Sequence, residues 1–256
     1  LKFLISPMVA NSAEAIGSMG TDTPVAVLSD KSKLLFNYFK QNFAQVTNPA
    51  IDPIREETVM SLTSYLGSRA NLLNLEEDHD KRISLQQPII STLDMRKIKG
   101  IGKADPKNFK QQKFDMVFDA TSNLKDIELK LSDICERIEL SVRDKGCKII
   151  ILSDISSSKK KIPFPSALSV SAVHHHLIRK GLRTKCCILS ETGEAREVHH
   201  FCVLGGYGAE AIHPYLALQA VNKVGAEHFS NNHKQAFELE QNYIKDIKKS
   251  NKKIKL

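Results

Sequence analysis

Lys148-Ile-Ile-Ile-Leu-Ser-Asp154 is the stretch that decides the fold of this 256-residue chain. Its apolar residues follow one another without alternation, a pattern typical of a strand that is buried on both faces. In the preceding residues 124–145, apolar side chains recur at intervals of three and four, which predicts an amphipathic helix. Gly146 stands where that helix should end. A helix that leads directly into a buried strand indicates an α/β domain with a parallel sheet.

The same alternation of helix and strand continues on both sides of this stretch. The apolar spacing predicts a strand at residues 116–119, a helix at 166–180, a strand at 185–190, a helix at 194–204 and a strand at 211–213. Strands that alternate with helices pair in parallel through right-handed crossovers. These units are fewer than the eight that a closed barrel needs. We therefore predict an α/β fold whose parallel βαβ units form an open or incomplete barrel-like sheet.

The amino-terminal region is less regular. Here we predict a short strand at residues 25–28, a helix at 34–43, and a second helix that begins at Pro53 and ends at Gly67. Residues 68–113 are polar and show little periodicity, so an internal domain boundary, if there is one, falls there. The predicted fold thus includes an irregular helical region ahead of the sheet.

The positive charge of the chain is concentrated at its carboxyl terminus. Residues 245–256 hold six lysines and one aspartate, which supply +5 of the formal net charge of +8. Such dense like charge predicts a basic flexible tail after a domain that spans residues 1–244. The tail has no interleaved aromatic residues for base stacking, so we predict no nucleic-acid partner.

The composition is that of an ordinary globular protein, with 41% hydrophobic and 26% charged residues. No apolar run approaches the roughly 18 residues of a membrane span, and no targeting leader is recognisable, so we expect a soluble, cytoplasmic protein without a membrane partner. The five cysteines show no Cys-x-x-Cys spacing, which also favours a reducing compartment. The chain starts at Leu1 instead of a methionine, as a piece of a longer protein would.

Two histidine clusters, at residues 174–176 and 199–200, are candidate metal ligands. Successive residues of a helix are about 100° apart, so the three side chains of the first cluster point in different directions and cannot share one ion. A mixed site, with one histidine from each cluster and Glu191, stays open as an alternative. We favour separate hydrogen bonds for these histidines and predict no metal site.

Polar residues stand where three predicted strands end, namely Asp154, Glu191 and His213. Parallel strands place their carboxyl ends at one edge of the sheet, where the ligands of α/β proteins bind. These residues are therefore a candidate polar site, and a free-standing α/β enzyme or ligand-binding module is one functional hypothesis. The other interpretation is that they only bond loops and helix ends, since no Gly-x-Gly-x-x-Gly, P-loop or Gly-x-Ser-x-Gly motif accompanies them.

Longer blocks of sequence are more specific than these single residues. They include Gly17-Ser-Met-Gly20, Asp22-Thr-Pro-Val-Ala-Val-Leu-Ser-Asp30, Phe43-Ala-Gln-Val-Thr-Asn-Pro49, Ile51-Asp-Pro-Ile-Arg-Glu56, Ala172-Val-His-His-His-Leu177 and Glu191-Thr-Gly-Glu-Ala-Arg-Glu-Val-His-His-Phe201. In this order, and nearly from end to end, the chain resembles the central domain of glutamate synthase.

This resemblance implies a linking domain within a large multidomain enzyme. Such an enzyme hydrolyses glutamine in an amino-terminal glutaminase domain, and makes glutamate from 2-oxoglutarate in a domain that holds FMN and an iron-sulfur cluster. The central domain would connect these two partner domains and help to form the tunnel through which ammonia passes. No catalytic or cofactor-binding residue of either domain can be matched to a position in this chain, so the chain alone is expected to be noncatalytic.

The resemblance also implies that Met19 and Thr47 face the ammonia tunnel. Both are neutral and stand in loops bounded by Gly or Pro, and a tunnel wall needs neutral side chains because a carboxylate would hold ammonium. The alternative is that both residues merely pack. The chain departs from the family pattern at His213, where many relatives have Asn, and at residues 155–159, which replace a more acidic loop.

Overall fold

The structure of the chain is a computed structural model, which describes residues 5–11, 25–39, 50–69, 71, 73–74, 81–228 and 233–254. Its helices are α1 (Ile5–Asn11), α2 (Pro53–Val59), α3 (Thr92–Ala104), α4 (Pro106–Phe109), α5 (Leu124–Arg143), α6 (Ser166–Arg179), α7 (Val198–Gly206), α8 (Tyr215–His228) and α9 (His233–Ile254). Its strands are β1 (Ser64–Leu66), β2 (Ile83–Leu85), β3 (Gln111–Asp115), β4 (Val117–Asp119), β5 (Ile149–Ser153), β6 (Lys161–Pro163), β7 (Cys187–Glu191) and β8 (Ala211–His213).

Four strands form the central sheet in the order β3-β5-β7-β8, and each neighbouring pair is parallel. Residues 88–90 lie along the outer edge of β8, where Ile90 N–H donates to the Ile212 carbonyl at 3.0 Å and Ile212 N–H donates to the Pro88 carbonyl at 2.7 Å. The strands follow one another in space as they do in the chain, as in a barrel. Among the described residues the sheet does not close, so the predicted open, barrel-like α/β fold is confirmed.

Both faces of the sheet are covered. The crossover helices α5, α6 and α7 pack on one face, in a buried cluster that includes Ile134, Ile138, Val170, Val173, Phe201, Leu204, Phe114, Ile150, Leu152 and Ile188. Helix α3 and the β1–β2 hairpin pack on the other face, in a cluster that includes Leu66, Met95, Ile98, Ile149, Ile151, Cys187 and Leu189. Burial on both faces explains why β5 consists of apolar residues without alternation.

Local capping interactions set the starts of the helices that flank the strand ends. Helix α3 begins with a capping box, in which Ser91 Oγ accepts a hydrogen bond from Asp94 N–H at 3.1 Å and the Asp94 carboxylate accepts one from Ser91 N–H at 3.4 Å. Helix α5 begins after Asn123, whose side chain accepts from Asp126 N–H at 3.0 Å. Gly146 follows α5 with φ of +64°, a conformation that favours glycine.

Three predictions for the amino-terminal region are wrong in detail. Residues 25–28 contain a 3₁₀ turn instead of the predicted strand. In the predicted helix at 34–43, the described residues 34–39 contain only a second short 3₁₀ turn, and residues 40–43 lie outside the described part of the chain. Helix α2 ends at Val59, and the segment expected to continue it forms β1. Strand β1 pairs antiparallel with the distant β2, and such long-range pairing overrides local apolar spacing.

The first strand of the sheet is also displaced from its predicted position. The sheet begins with β3, whereas the predicted segment at residues 116–119 contains β4, which pairs antiparallel with β6. Strand β3 lies at the sheet edge and exposes Lys113 and Asp115. Because these charged residues interrupt the apolar pattern, the strand could not be told apart from the polar sequence around it. Helix α7 likewise begins at Val198, later than the predicted residue 194.

The carboxyl-terminal segment is more ordered in secondary structure than the predicted tail. Helix α9 continues through residues 245–254, and both Asp246 and Ile247 are buried. Leu239, Tyr243 and Ile247 recur every four residues and belong to the larger core cluster. This apolar stripe was not recognised in the sequence because of the many lysines around it. The mobility of the last lysines, and an internal boundary within residues 68–113, stay predictions.

Candidate functional site

The sheet register brings four polar residues into one row at the carboxyl ends of the strands. Asp115 is paired with Ser153, Ser153 with Glu191, and Glu191 with His213. Because paired residues of parallel strands point to the same face, all four lie on the face that α3 covers. Two of the three predicted strand-end residues, Glu191 and His213, are therefore direct neighbours in this row.

Glu191 is the most constrained acidic side chain of the row. Only 2% of its side chain is exposed, whereas 42% of the Lys99 side chain is exposed. Lys99 Nζ donates to Glu191 Oε1 at 2.9 Å, and Ser153 Oγ donates to Glu191 Oε2 at 2.7 Å. The buried carboxylate thus has a cation from α3 and a hydroxyl from β5 as partners. No feature of the sequence indicated that Lys99, 92 positions away in the chain, would contact Glu191.

His213 is buried at the end of β8, and its Nδ1 lies 3.3 Å from the carbonyl oxygen of Ile90. Burial lowers the pKa of His213 below the usual value for histidine, although the Ile90 carbonyl and the nearby Glu191 carboxylate act in the opposite direction. The imidazole is therefore neutral at pH 7, and Nδ1–H donates to Ile90. This bond ties the edge segment 88–90 to the sheet.

Asp154, the third predicted residue, belongs to a separate network in the strand-end loops. Its carboxylate accepts from Thr192 Oγ1 at 2.8 Å and from Gly193 N–H at 3.0 Å, and it is also hydrogen-bonded to the Tyr215 hydroxyl. Burial raises the pKa of Asp154, while these hydrogen bonds oppose the rise. Burial also raises the pKa of Tyr215 to about 12. The network joins the loops after β5 and β7 to the start of α8.

Glu194 has a different structural role from the one predicted for it. It was expected to begin the helix after β7, but its carboxylate instead accepts from both the backbone N–H and the hydroxyl of Ser166, each at 2.6 Å. Ser166 is the first residue of α6. Glu194 therefore caps a helix that precedes it in the chain, a role that only the three-dimensional arrangement reveals.

The histidines of the two clusters have separate partners. In the first cluster, His174 accepts from Arg183 Nε at 2.9 Å, His175 Nδ1 lies 2.8 Å from the Ser171 carbonyl, and His176 Nε2 lies 2.8 Å from Glu139 Oε2. In the second, His199 Nε2 lies 3.0 Å from the Phe36 carbonyl, and His200 Nε2 lies 2.7 Å from Glu197 Oε1. Within the described ranges, no group of three His, Cys, Asp or Glu residues could hold a metal ion.

The two residues predicted to face an ammonia tunnel, Met19 and Thr47, lie outside the described residues. Their role stays a prediction. None of the helices in the described part of the chain is long and apolar enough to cross a membrane.

The described residues define the class of this protein as an α/β domain with an open parallel sheet wound in one direction. The polar residues at its strand ends bond to one another and to the adjoining loops. Comparison with known proteins identifies the family. The chain belongs to the glutamate synthase central domain family, which matches residues 1–255.

The chain is also similar to individual glutamate synthases. It is 48% identical over 216 residues to the NADPH glutamate synthase large chain of Bacillus subtilis, an alignment that covers 84% of this chain and 14% of that protein. It is 40% identical over 225 residues to the NADH glutamate synthase of Saccharomyces cerevisiae, covering 88% and 10%. It is 40% identical over 233 residues to the ferredoxin-dependent enzyme of Pyropia yezoensis, covering 86% and 14%. The chain thus spans about a seventh or less of each relative.

Proposed function

We propose that this chain is the linking domain of a glutamate synthase and helps to form the passage through which ammonia travels between two active sites. The observation that carries the proposal is the family match over residues 1–255. The relatives that contain the corresponding segment are several times longer than the chain. The partners would be a glutaminase domain and an FMN-binding domain that also holds an iron-sulfur cluster. Glutamine and 2-oxoglutarate would react in those domains, and this chain would contribute no catalytic residue.

The geometry of the strand-end loops supports a linking role. A domain that holds two active sites at a fixed separation needs loops that do not move, because a displaced loop would open or close a passage. Here Asp154 fastens the loop that contains Thr192 and Gly193, and Glu194 fastens the start of α6. These carboxylates already accept hydrogen bonds from protein groups. This favours a structural role that keeps the loops rigid over the alternative function, a ligand site at the strand ends.

The names of the relatives bear on what this domain does not determine. They specify NADPH, NADH and ferredoxin as electron donors, although the identities to this chain fall between 38% and 48%. Relatives named for NADPH, for NADH and for ferredoxin all match this region, as expected of a domain that guides ammonia and carries no electrons. We expect the enzyme to reside in the cytoplasm, where the thiols of its cysteines stay reduced.

A domain exchange tests the proposal directly. The corresponding segment of the Bacillus subtilis large chain is replaced by residues 1–255 of this chain, and glutamine hydrolysed and glutamate formed are measured together. We expect the exchanged enzyme to form one glutamate from 2-oxoglutarate for each glutamine hydrolysed. The proposal fails if both partial reactions proceed at normal rates while the ratio of glutamate formed to glutamine hydrolysed falls far below one.

The tunnel residues are tested in the same exchanged enzyme. Replacing Thr47 with Phe should narrow the passage, so that ammonia escapes and glutamate formation falls relative to glutamine hydrolysis. The nearly isosteric Thr47→Val variant is the matched control, since it removes the hydroxyl without adding bulk. If Thr47→Phe folds and keeps a one-to-one ratio, Thr47 does not face the passage. The same comparison applies to Met19.

A further inference from the structure

Strand β3 forms an edge of the central sheet that, among the described residues, has a strand on one side only. It pairs with β5, whereas the opposite edge strand, β8, is bonded on its outer side to residues 88–90. An uncovered edge strand presents N–H and C=O groups to which another strand can pair. The edge of β3 is therefore a candidate interaction surface.

The hydrogen bonds of this edge strand show which of its residues face outward. Met116 N–H, directly after β3, donates to the Ser153 carbonyl of β5 at 2.8 Å. The backbone groups of successive strand residues point to alternate sides, so those of Lys113 and Asp115 are divided from Met116 in the following way. Asp115 is adjacent to Met116 and Lys113 lies two residues before Asp115, so the backbone groups of both point away from β5. Both side chains are charged and exposed.

Helix α5 carries a row of charged residues beside this edge. The signs alternate along the row, which consists of Asp126, Lys130, Asp133 and Arg137. Residues spaced by three and four positions lie along one side of a helix. Three of the four line a groove together with the charged residues of β3. The other side of α5 is bonded to α6 through Glu139 and His176, so the row faces away from α6 and toward the open edge.

The charges of β3 select how a second copy of this strand can pair with it. In a parallel pair with matched residues, Lys113 would lie opposite a lysine and Asp115 opposite an aspartate, and like charges directly opposite one another are destabilising. In an antiparallel pair with the two Phe114 residues opposite one another, Lys113 of each copy instead faces Asp115 of the other. Their outward backbone groups then occupy the hydrogen-bonded positions of an antiparallel pair. The edge of β3 is thus complementary to itself.

The charged row of α5 is complementary to itself in the same sense. When two copies of the helix run antiparallel, the first charge of one row faces the last charge of the other. Asp126 then faces Arg137, and Lys130 faces Asp133, in both halves of the pair. A two-fold axis brings the same patch of two copies together, so such an interface must be self-complementary. Exposed apolar residues that pairing would bury follow both ends of the row, namely Leu129 and Leu140.

We propose that the edge of β3 and the charged row of α5 form a docking surface for a second copy of this chain, which binds about a two-fold axis with the two β3 strands antiparallel. The four-stranded sheets of the two copies then form one sheet. Charge complementarity identifies this occupant, because a second copy matches the alternating charges of both elements by symmetry. The pairing does not depend on the linking function proposed above.

Sedimentation equilibrium of the full chain over a range of concentrations tests the proposal. We expect a dimer of two 28.6-kDa chains. Lys113→Asp places an aspartate opposite Asp115 twice in each dimer, so the dissociation constant should rise at least about tenfold. Lys125→Asp is the matched control. It makes the same change in net charge at an exposed position of α5 that does not line the groove, and it should leave the dissociation constant unchanged.

Exchanging the two charges tests the antiparallel register itself. The double variant Lys113→Asp/Asp115→Lys restores opposite charges across the axis, so it should dimerise as the unsubstituted chain does. Circular dichroism establishes that each variant is folded. If Lys113→Asp does not fold, Lys130→Asp with and without Asp133→Lys makes the same comparison on α5.

Three results overturn the proposal: a chain that stays monomeric, a dimer that Lys113→Asp does not weaken, and a charge exchange that does not restore pairing. Hydrogen exchange then shows whether the edge has a different occupant. A monomeric chain whose amides at Lys113 and Asp115 become protected only in the domain-exchanged glutamate synthase would assign the edge to another domain of that enzyme, and would likewise overturn the pairing of two copies.

Discussion

Removing the cation from the buried carboxylate of Glu191 should destabilise the chain more than removing the carboxylate's charge. In Lys99→Met, the apolar part of the side chain is kept while Glu191, which is 2% exposed, loses its cation. Breaking a fully buried ion pair costs about 3 to 5 kcal/mol, whereas an exposed pair contributes about 0 to 1 kcal/mol. Because Lys99 is 42% exposed, we expect an intermediate loss of about 2 kcal/mol in the free energy of unfolding.

Glu191→Gln changes the same pair from the other side. The amide carbonyl of glutamine can still accept from Ser153, now 2.7 Å from the carboxylate, and the exposed Lys99 ammonium can turn into water. We therefore expect a loss of about 1 kcal/mol, the value of a typical hydrogen bond. The double variant should be more stable than Lys99→Met alone, since no buried charge is left without a partner. The coupling energy of the pair is the loss in the double variant minus the sum of the two single losses.

Urea denaturation measures the free energy of unfolding of the unsubstituted chain, the two single variants and the double variant. Circular dichroism and tyrosine fluorescence should give coincident transitions with one slope, so that changes in midpoint report changes in stability. The reasoning is refuted if Lys99→Met lies within about 0.5 kcal/mol of the unsubstituted chain, or if the two single losses simply add in the double variant. Either outcome would mean that Glu191 is hydrated or that another group neutralises it.

Three further predictions concern a histidine, a glycine and the thiols. Burial lowers the pKa of His213. The neutral imidazole therefore contributes its full stability above about pH 6.5, and this contribution is lost as the pH falls toward the folded-state pKa. His213→Asn should accordingly flatten the decline of the urea midpoint between about pH 7.5 and pH 5. Gly208 has φ of +107°, and an added Cβ would collide with the His174 ring, whereas Gly146 has φ of +64° and open space around it. Gly208→Ala should therefore lower the free energy of unfolding by about 1 to 3 kcal/mol more than Gly146→Ala does, as measured by thermal unfolding. Cys202 is partly exposed, whereas the other four cysteines are buried. Mass spectrometry after brief alkylation should therefore find Cys202 labelled first, and equal labelling of all five would contradict the burial of the other four thiols.

The sequence was most informative where burial itself leaves a pattern. The apolar run in β5 and the three- and four-residue spacing in α5 predicted both elements, because a strand covered on both faces and a helix covered on one must carry such residues. It was least informative where pairing is distant or charge is dense. Strand β1 depends on β2 for its conformation, and the apolar stripe of α9 is diluted by lysines.

The strand-end residues illustrate the same limit at the level of a site. Asp154 and Glu191 could be predicted as residues at the sheet edge because they directly follow, or end, apolar runs. Their partners could not be predicted in this way. Lys99 lies 92 positions from Glu191, and Thr192 lies 38 positions from Asp154. Which polar groups meet depends on how α3 and the loops fold over the edge, and that is decided by the packing of the whole domain.

A one-residue offset in register explains how the strand ends divide into two structures. Strands β5 and β7 both end with a serine next to an acid, Ser153-Asp154 and Ser190-Glu191. If the two serines were paired, they would share one face and the two acids the other. The register instead pairs Ser153 with Glu191, and a shift of one residue exchanges the faces. Ser153 therefore donates to the Glu191 carboxylate on the α3 face, whereas Ser190 shares with Leu152 the face toward α6. The same dipeptide pattern thus places one serine on the α3 face, where it bonds to Glu191, and the other serine on the face toward α6.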